Sequence, residues 1–209
     1  MSQYFDNADL KSDIVKYKTS IFDKEFCFNT DNGVFSKNKL DFGTRCLLEN
    51  LPLDDIYGNI LEVGCGYGVI PIILTKTVDN IKLFDAVDVN KRALHLAKLN
   101  IKENQLEKRN INFFESNCYD NVSGKYDVII SNPPIRAGKE IVYRIVMDAK
   151  EYMLPSGRLF IVINKDQGAK SLFKDLEKQY RCELINKKKG FWIIKCILHW
   201  QLVGSMLII

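Results

Sequence analysis

A carboxylate just ahead of three alternating glycines, in Leu61-Glu62-Val63-Gly64-Cys65-Gly66-Tyr67-Gly68, is one of two segments in this chain suited to chemistry. The other sets a carboxamide before two prolines, in Ser131-Asn132-Pro133-Pro134-Ile135. Glycine at 64, 66 and 68 permits positive φ and close approach of backbone to a ligand. The G-x-G-x-G spacing departs from the G-x-G-x-x-G of dinucleotide folds. An acid at Glu62 accepts from an ammonium group and repels a pyrophosphate. Asp88 stands at the ~20-residue interval where a second strand-end acid meets ribose hydroxyls. Asn117, in Glu115-Ser116-Asn117-Cys118-Tyr119-Asp120, carries an amide suited to an adenine. An amino-acid end at Glu62, a ribose at Asp88 and an adenine by Asn117 describe S-adenosylmethionine. Taken singly, the glycines would only make a tight strand-to-helix turn, with Asp88 as a helix N-cap ahead of Asn90. The ordered set favours the ligand.

Asn132-Pro133-Pro134 follows an apolar run, at the kind of strand exit where open α/β sheets bind ligands. An aryl or exocyclic amine is a poor nucleophile because its lone pair is delocalised into the ring. The Asn132 Oδ1 and the Pro133 carbonyl, both acceptors, suit the two amine hydrogens and favour a pyramidal nitrogen. Proline lacks an N–H donor and fixes the turn, so carbonyls face the substrate. Aligning nitrogen, carbon and sulfur is then the main task, and a strong general base is dispensable. In isolation, Asn-Pro is also an ordinary turn dipeptide.

The elements that must position these residues alternate along the chain. Apolar runs at 60–63, 83–89, 111–115, 126–131 and 158–164 read as strands; helical patterns lie at 69–76, 90–104, 140–153 and 169–180. Such alternation predicts a parallel sheet with helices on both faces. Segments 182–187 and 191–197, joined by Lys188-Lys189-Gly190, read as a closing hairpin. A parallel sheet ended by an antiparallel hairpin is the class I methyltransferase arrangement, an α/β, Rossmann-like fold of seven strands. Alternating apolar positions in 12–35 predict a small antiparallel hairpin ahead of it, and Phe42, Cys46, Leu47, Leu48 and Leu51 mark an amphipathic helix ending before Pro52. The domain reading is a hairpin extension at 1–30 and a methyltransferase unit at 31–209.

The 209 residues are 46% hydrophobic and 27% charged, ordinary for one globular domain with a sizeable core. A net charge of +4 permits an acidic partner such as RNA without requiring one. The six cysteines (Cys27, Cys46, Cys65, Cys118, Cys182, Cys196) are dispersed with no Cys-x-x-Cys pair, which predicts buried reduced thiols in a cytoplasmic protein and no metal site. Met1-Ser2-Gln3-Tyr4-Phe5-Asp6 has no basic start or apolar run, so no secretory signal is expected. The apolar stretch 197–209, with His199 and Gln201, falls below the ~18 residues a membrane span needs and reads as a final strand plus packing. With His95 in a predicted helix and His199 in that tail, a catalytic histidine is not expected.

On these motifs the chain resembles the ribosomal RNA small subunit methyltransferase C family, guanine-N2 methyltransferases of class I. The resemblance spans roughly 28–195. It rests on Asp31-Asn32-Gly33-Val34-Phe35-Ser36, Leu40-Asp41-Phe42-Gly43-Thr44, the glycine segment, Asp88, Asn117, and Ile130 to Lys139 with its Arg-Ala-Gly-Lys end. It implies a cofactor site of Phe35, Ser36, Glu62, Gly64, Cys65, Gly66, Gly68, Asp88, Val89, Asn117, Cys118 and Asn132, with Asn132 and Pro133 catalytic. It implies substrate contacts at Phe35, Pro134, Ile135, Arg136 and Lys139, and ribosomal RNA, free or within the small subunit, as partner of a monomer or weak dimer. Ile135 departs from the aromatic residue common after Asn-Pro-Pro, so base stacking is expected from elsewhere, such as Phe35. Larger members carry an added N-terminal domain resembling the catalytic one. Docking here is therefore expected to rely on the hairpin and a basic surface. Lys187-Lys188-Lys189 beside Phe191 and Trp192 reads either as an RNA-facing patch or as a solvated turn. The Asn-Pro-Pro chemistry is shared with protein glutamine methyltransferases, which typically have Tyr after it and a helical N-terminal domain. A non-catalytic cofactor-binding module is the remaining alternative, disfavoured by intact Glu62, Asp88 and Asn132.

Overall fold

The computed structural model describes residues 10–199. The expectations about residues 1–6 and the tail beyond His199 lie outside the described residues. Two strands, β1 (Val15–Ile21) and β2 (Lys24–Thr30), form the antiparallel hairpin. Then come α1 (Phe42–Asn50), β3 (Gly58–Val63), α2 (Val69–Thr77), β4 (Ile81–Asp88), α3 (Lys91–Glu103), β5 (Ile111–Glu115) and β6 (Tyr126–Ser131). α4 (Lys139–Met147), β7 (Met153–Asn164), α5 (Ala169–Leu176), β8 (Tyr180–Lys188) and β9 (Phe191–Leu198) complete the chain. The seven-stranded sheet runs β5-β4-β3-β6-β7-β9-β8. β3, β4, β5, β6 and β7 pair in parallel, while β9 is antiparallel to both neighbours, so it alone runs against the sheet.

Both faces of the sheet are apolar, as burial on two sides demands. Ile60, Phe84, Val128, Ile130, Phe160 and Val162 pack on one face with α1, α2, α3 and the hairpin's Phe26 and Phe28. Leu61, Val63, Ile129, Leu159, Ile161 and Ile194 face the other way, against α4 and α5. From β3 the chain moves outward to β4 and β5, then returns to β6 on the opposite side. The β3–β6 boundary is thus the topological switch point, where such sheets open a crevice at the strands' carboxyl ends.

The sequence boundaries needed correction at the helix exits. Helix 140–153 ends at Met147, passes through a 3-10 turn at Asp148–Tyr152, and Met153 begins β7 opposite Tyr126. Ala149 and Met153 fit a helical stripe, but Pro155 disfavours helical backbone before it. Helix 169–180 ends at Leu176; Tyr180 starts β8, its buried hydroxyl donating to the Val146 carbonyl at 2.9 Å. The cap of α3 is Asn90, whose side chain accepts from the Ala93 N–H at 3.1 Å, and not Asp88. Lys189 and Gly190 both have positive φ, 48° and 86°, the primed two-residue turn that right-twisted hairpins favour. Among the described residues, no helix is long and apolar enough to cross a membrane.

The hairpin is fastened to the sheet by a buried polar clasp. Asn100 on α3 accepts from the Asn29 N–H at 2.6 Å and donates to the carbonyls of Asn29 and Tyr67, both at 3.0 Å. Tyr17 on β1 meets the Tyr67 hydroxyl at 2.8 Å. Replacing Asn100 leaves buried backbone groups unpaired, at ~1–3 kcal/mol each. Asn100→Ala is accordingly expected to lower unfolding free energy by roughly 2–4 kcal/mol in urea denaturation.

Candidate functional site

A cleft of about 580 Å³ opens at the carboxyl ends of β3, β4 and β6. Its floor is the turn from β3 to α2. The N–H groups of Gly64 and Cys65 donate to the Val87 carbonyl at 2.8 and 3.0 Å, tying the turn to β4. Gly66 has φ 53° and nothing within 4 Å of where a Cβ would stand, leaving backbone open to the cleft. Gly68 is different. Its φ is 86°, and a Cβ there would sit 2.9 Å from Phe113 Cζ and 3.1 Å from Ala97 Cβ. It does not line the cleft. The sequence placed Gly68 among ligand residues; the structure gives it the close packing of α2's start against α3 and β5.

Asp88 ends β4 with one carboxylate oxygen accepting from the Gly66 N–H at 2.8 Å and the other from the Asn90 N–H at 2.9 Å. Burial pushes its carboxyl above the usual range, against the pull of those N–H groups. Glu62 is 2% exposed, and its Oε2 has no hydrogen-bond partner. Burial, aided by the nearby Asp88 charge, drives its carboxyl well above the ordinary value. A buried acceptor with no donor, at the base of a cleft, is satisfied by a cationic donor entering that cleft. The residues therefore fit the ammonium of an amino-acid end.

The walls come from three further segments. Val89, Ser116, Asn117 and Cys118 line one side, with Cys118 in the left-handed region at φ 52°. Phe35 and Ser36 come from the 31–41 loop; Phe35 is 53% exposed at the cleft's edge. That loop is pinned by the Asn90 amide to the Gly33 carbonyl at 2.9 Å, Arg92 to the Asn32 carbonyl at 3.0 Å, and the Tyr67 hydroxyl to the Ser36 carbonyl at 3.1 Å. The Ser36 hydroxyl donates to the Lys39 carbonyl, so it serves its own turn. Opposite, the Ser131 hydroxyl donates to the Val63 carbonyl at 2.7 Å, drawing Asn132-Pro133-Pro134 beside the glycine turn. Asn132 donates through Nδ2 to Asp41 Oδ2 at 3.2 Å and Thr44 Oγ1 at 2.9 Å.

Cys65, Pro133, Pro134, Ile135 and the exposed Arg136 also line the cleft. Lys139 does not; it is exposed on the first turn of α4, its ammonium 4.8 Å from the Tyr143 ring centre. The sequence assigned no site role to Asp41, Thr44, Tyr67 or Asn90, and read Phe191 only as a neighbour of the lysine run; all five are on the cleft wall. Asp41 and Thr44 lie inside the Leu40-Asp41-Phe42-Gly43-Thr44 segment, whereas Phe191 is brought in only by the register of β9 against β7. Of the lysine run, Lys187 lies over Trp192 at 3.9 Å, Lys188 pairs with Glu49 at 3.1 Å, and Lys189 sits over Phe42, itself 5.5 Å from Phe191.

The family model described as the methyltransferase small domain matches residues 25–195. Uncharacterized protein YbxB of Bacillus subtilis is 37% identical over 195 residues, covering 92% of this chain and 96% of that one. Ribosomal RNA small subunit methyltransferase C of Psychromonas ingrahamii is 34% identical over 172 residues, covering 76% of this chain and 48% of its own length. The chain thus spans about half the length of that relative. Among solved structures, the T. thermophilus 16S rRNA N2 G1207 methyltransferase, in complex with AdoMet and guanosine, superposes with a TM-score of 0.78. Its identity is 21%, and the match covers 91% of this chain and 52% of that one.

The buried Glu62 has a consequence for stability. Its folded-state pKa is raised, so its contribution is fully present below the ordinary carboxylate pKa and is lost as pH rises toward the folded value. In the ligand-free chain, Glu62→Gln is expected to raise Tm at pH 8 and to leave it nearly unchanged at pH 4. Each kcal/mol of relieved penalty corresponds to about 2–4 °C for a chain of this size. Scanning calorimetry at the two pH values checks the sign.

Proposed function

The chain belongs to the methyltransferase small domain family, and from that premise we propose that it transfers a methyl group from S-adenosylmethionine to the exocyclic N2 amino group of a guanine in 16S ribosomal RNA. The observation carrying this reading is the meeting, in one cleft, of an unpartnered buried carboxylate at Glu62 and an acceptor pair at Asn132-Pro133. When bound, S-adenosylmethionine supplies a methyl group on a positively charged sulfur, a strong electrophile.

In this reading Glu62 holds the ammonium, Asp88 the ribose hydroxyls and Asn117 the adenine, with Cys65, Val89 and Cys118 shaping the walls. Gly64 and Gly66 let the backbone come close. The second oxygen capacity of each Asp88 carboxylate atom accepts a ribose hydroxyl, because each already holds one backbone N–H. Asn132 Oδ1 and the Pro133 carbonyl take the two hydrogens of the target amine, favouring a lone pair directed at the methyl carbon. A guanine must leave its stack to reach this depth, costing a few kcal/mol that stacking on Phe35 offsets. Pro134 and Ile135 bound the base pocket. Arg136, with no hydrogen bond or ion pair to any described residue, is free to meet a phosphate at the rim; Lys139 meets the backbone further out.

The division of the chain follows the same lines: a hairpin extension at 1–30 and a methyltransferase unit at 31–209. Phe26 and Phe28 share the core with α1 and α2, so the two form one folding unit.

The direct test is incubation with labelled S-adenosylmethionine and small ribosomal subunits or their naked RNA, followed by mass spectrometry of the nucleosides. N2-methylguanosine is expected; methylated protein glutamine instead would refute the substrate class. Asp88→Ala is expected to weaken cofactor binding by ~1.5–3 kcal/mol, roughly ten- to hundredfold by calorimetric titration. Asn132→Ala is expected to bind cofactor normally and to lose about two to three decades of single-turnover rate. A near-normal rate in that variant would reduce the Asn-Pro-Pro segment to a turn.

A further inference from the structure

An asparagine side chain has two ends of nearly the same shape and opposite chemistry. Half a turn about its last bond exchanges the acceptor for the donor. At Asn132 that choice decides whether the cleft offers an oxygen or an NH2 group to an amine, and an NH2 set against an amine repels it.

We propose that Asp41 and Thr44, at the start of α1, are positioning residues that lock the Asn132 carboxamide with its oxygen toward the substrate amine. The proposal rests on the amino-methylation reading above. Asn132 Nδ2 has two hydrogens, and it has two acceptors: Asp41 Oδ2 at 3.2 Å and Thr44 Oγ1 at 2.9 Å. Asp41 in its ionised form is acceptor-only, so turning the carboxamide over would set Oδ1 against a carboxylate oxygen. Oδ1 itself accepts no hydrogen bond from any described residue, which leaves its capacity for the cleft that Asn132 lines.

The lock is itself held. The same Asp41 Oδ2 accepts the Thr44 N–H at 2.8 Å, as the N-cap of α1, so the helix start fixes where the carboxylate stands. Thr44 is buried, which confines its hydroxyl. Gly43 between them carries no side chain, and a Cβ there would lie 3.0 Å from Asp41 Oδ2 and 2.9 Å from Phe191 Cε1. The Asp-x-Gly-Thr order thus has a physical reading: an acid that caps and orients, a glycine that lets the acid and the Phe191 ring close in, and a hydroxyl that takes the second hydrogen.

Two substitutions separate orientation from folding. Ser caps a helix about as well as Asp, so Asp41→Ser keeps the helix start, while its shorter side chain withdraws the acceptor from Asn132 Nδ2. Thr44→Val removes the second acceptor at similar shape. Each is expected to keep Tm and cofactor affinity, and to lower single-turnover kcat by about ten- to hundredfold, the scale of a slightly misplaced catalytic group. In an Asn132→Ala background neither is expected to cost anything more, because both act through that one side chain. Wild-type rates in both single variants, or the same further loss in the Asn132→Ala background, would overturn the proposal.

A second readout needs no activity. The Asn132 side-chain amide protons are identified in a nitrogen–proton NMR spectrum by their absence in Asn132→Ala. They are expected to shift in both Asp41→Ser and Thr44→Val, and signals unmoved in either variant would overturn the orienting pair. A wild-type chain that methylates no guanine while these signals shift as expected would remove the substrate reading and retain the orienting pair.

Discussion

Two carboxylates at the carboxyl ends of adjacent strands, Glu62 buried on β3 and Asp88 half-buried on β4, set the terms for the rest of the structure. Each is driven toward its neutral form by burial, and the charge of Asp88 adds to the pressure on Glu62. Asp88 recovers part of that cost from the Gly66 and Asn90 N–H groups, which also fixes the glycine turn. Glu62 recovers nothing through Oε2. Leu61 and Val63 on either side turn to the opposite face of the sheet and are buried against α4 and α5, so solvent cannot reach Glu62 from behind. The free cleft is therefore electrostatically incomplete, and a ligand with a cationic end is what completes it.

The strand order puts Asn132 beside that site. β3 and β6 are neighbours with the Ser131 hydroxyl bonded to the Val63 carbonyl, so the asparagine that follows β6 is carried to the edge of the glycine turn that follows β3. Both strand exits are rigid for opposite reasons, one because glycines allow a left-handed path that hydrogen bonds then fix, the other because prolines forbid alternatives. From behind, the hairpin steadies the glycine turn through Tyr17 and Asn100, both bonded to Tyr67. Preorganisation of this kind suits a reaction in which alignment is the main catalytic demand.

Residues whose role follows from local pattern were legible in the sequence. The limits of β5 and β6, the presence of a turn ahead of β9, and the strand-to-helix glycine turn after β3 are all short-range signals. What was not legible arises from contacts distant in sequence. Helices were read too long at Met153 and Tyr180 because an apolar residue continues a helical stripe and begins a strand equally well; sheet pairing decided the matter. Gly68 looked like its two companions, and only the packing of Phe113 and Ala97 shows that it serves helix contact. Asp41 and Thr44 lie 91 and 88 positions from Asn132, beyond the reach of any periodicity. Phe191 enters the cleft because β9 inserts between β7 and β8, a topological fact with no local signature.

That insertion has a consequence for how the chain is made. β9 follows β8 in sequence yet separates it from the rest of the sheet, so a chain emerging from its N-terminus cannot place β8 until β9 has also been synthesised. Until then β7 presents a bare edge of Val162, Ile161 and Phe160, fully apolar and unpaired on that side. Strand edges of this composition are where nascent chains associate wrongly. The floor of the cleft, at the ends of β3, β4 and β6, is complete in sequence well before the sheet is sealed. Phe191 and the lysine-bearing turn beside it arrive last. In chain order the strands of the ligand cradle precede the strand that supplies its far wall, so sealing the sheet and completing the cleft both await β9.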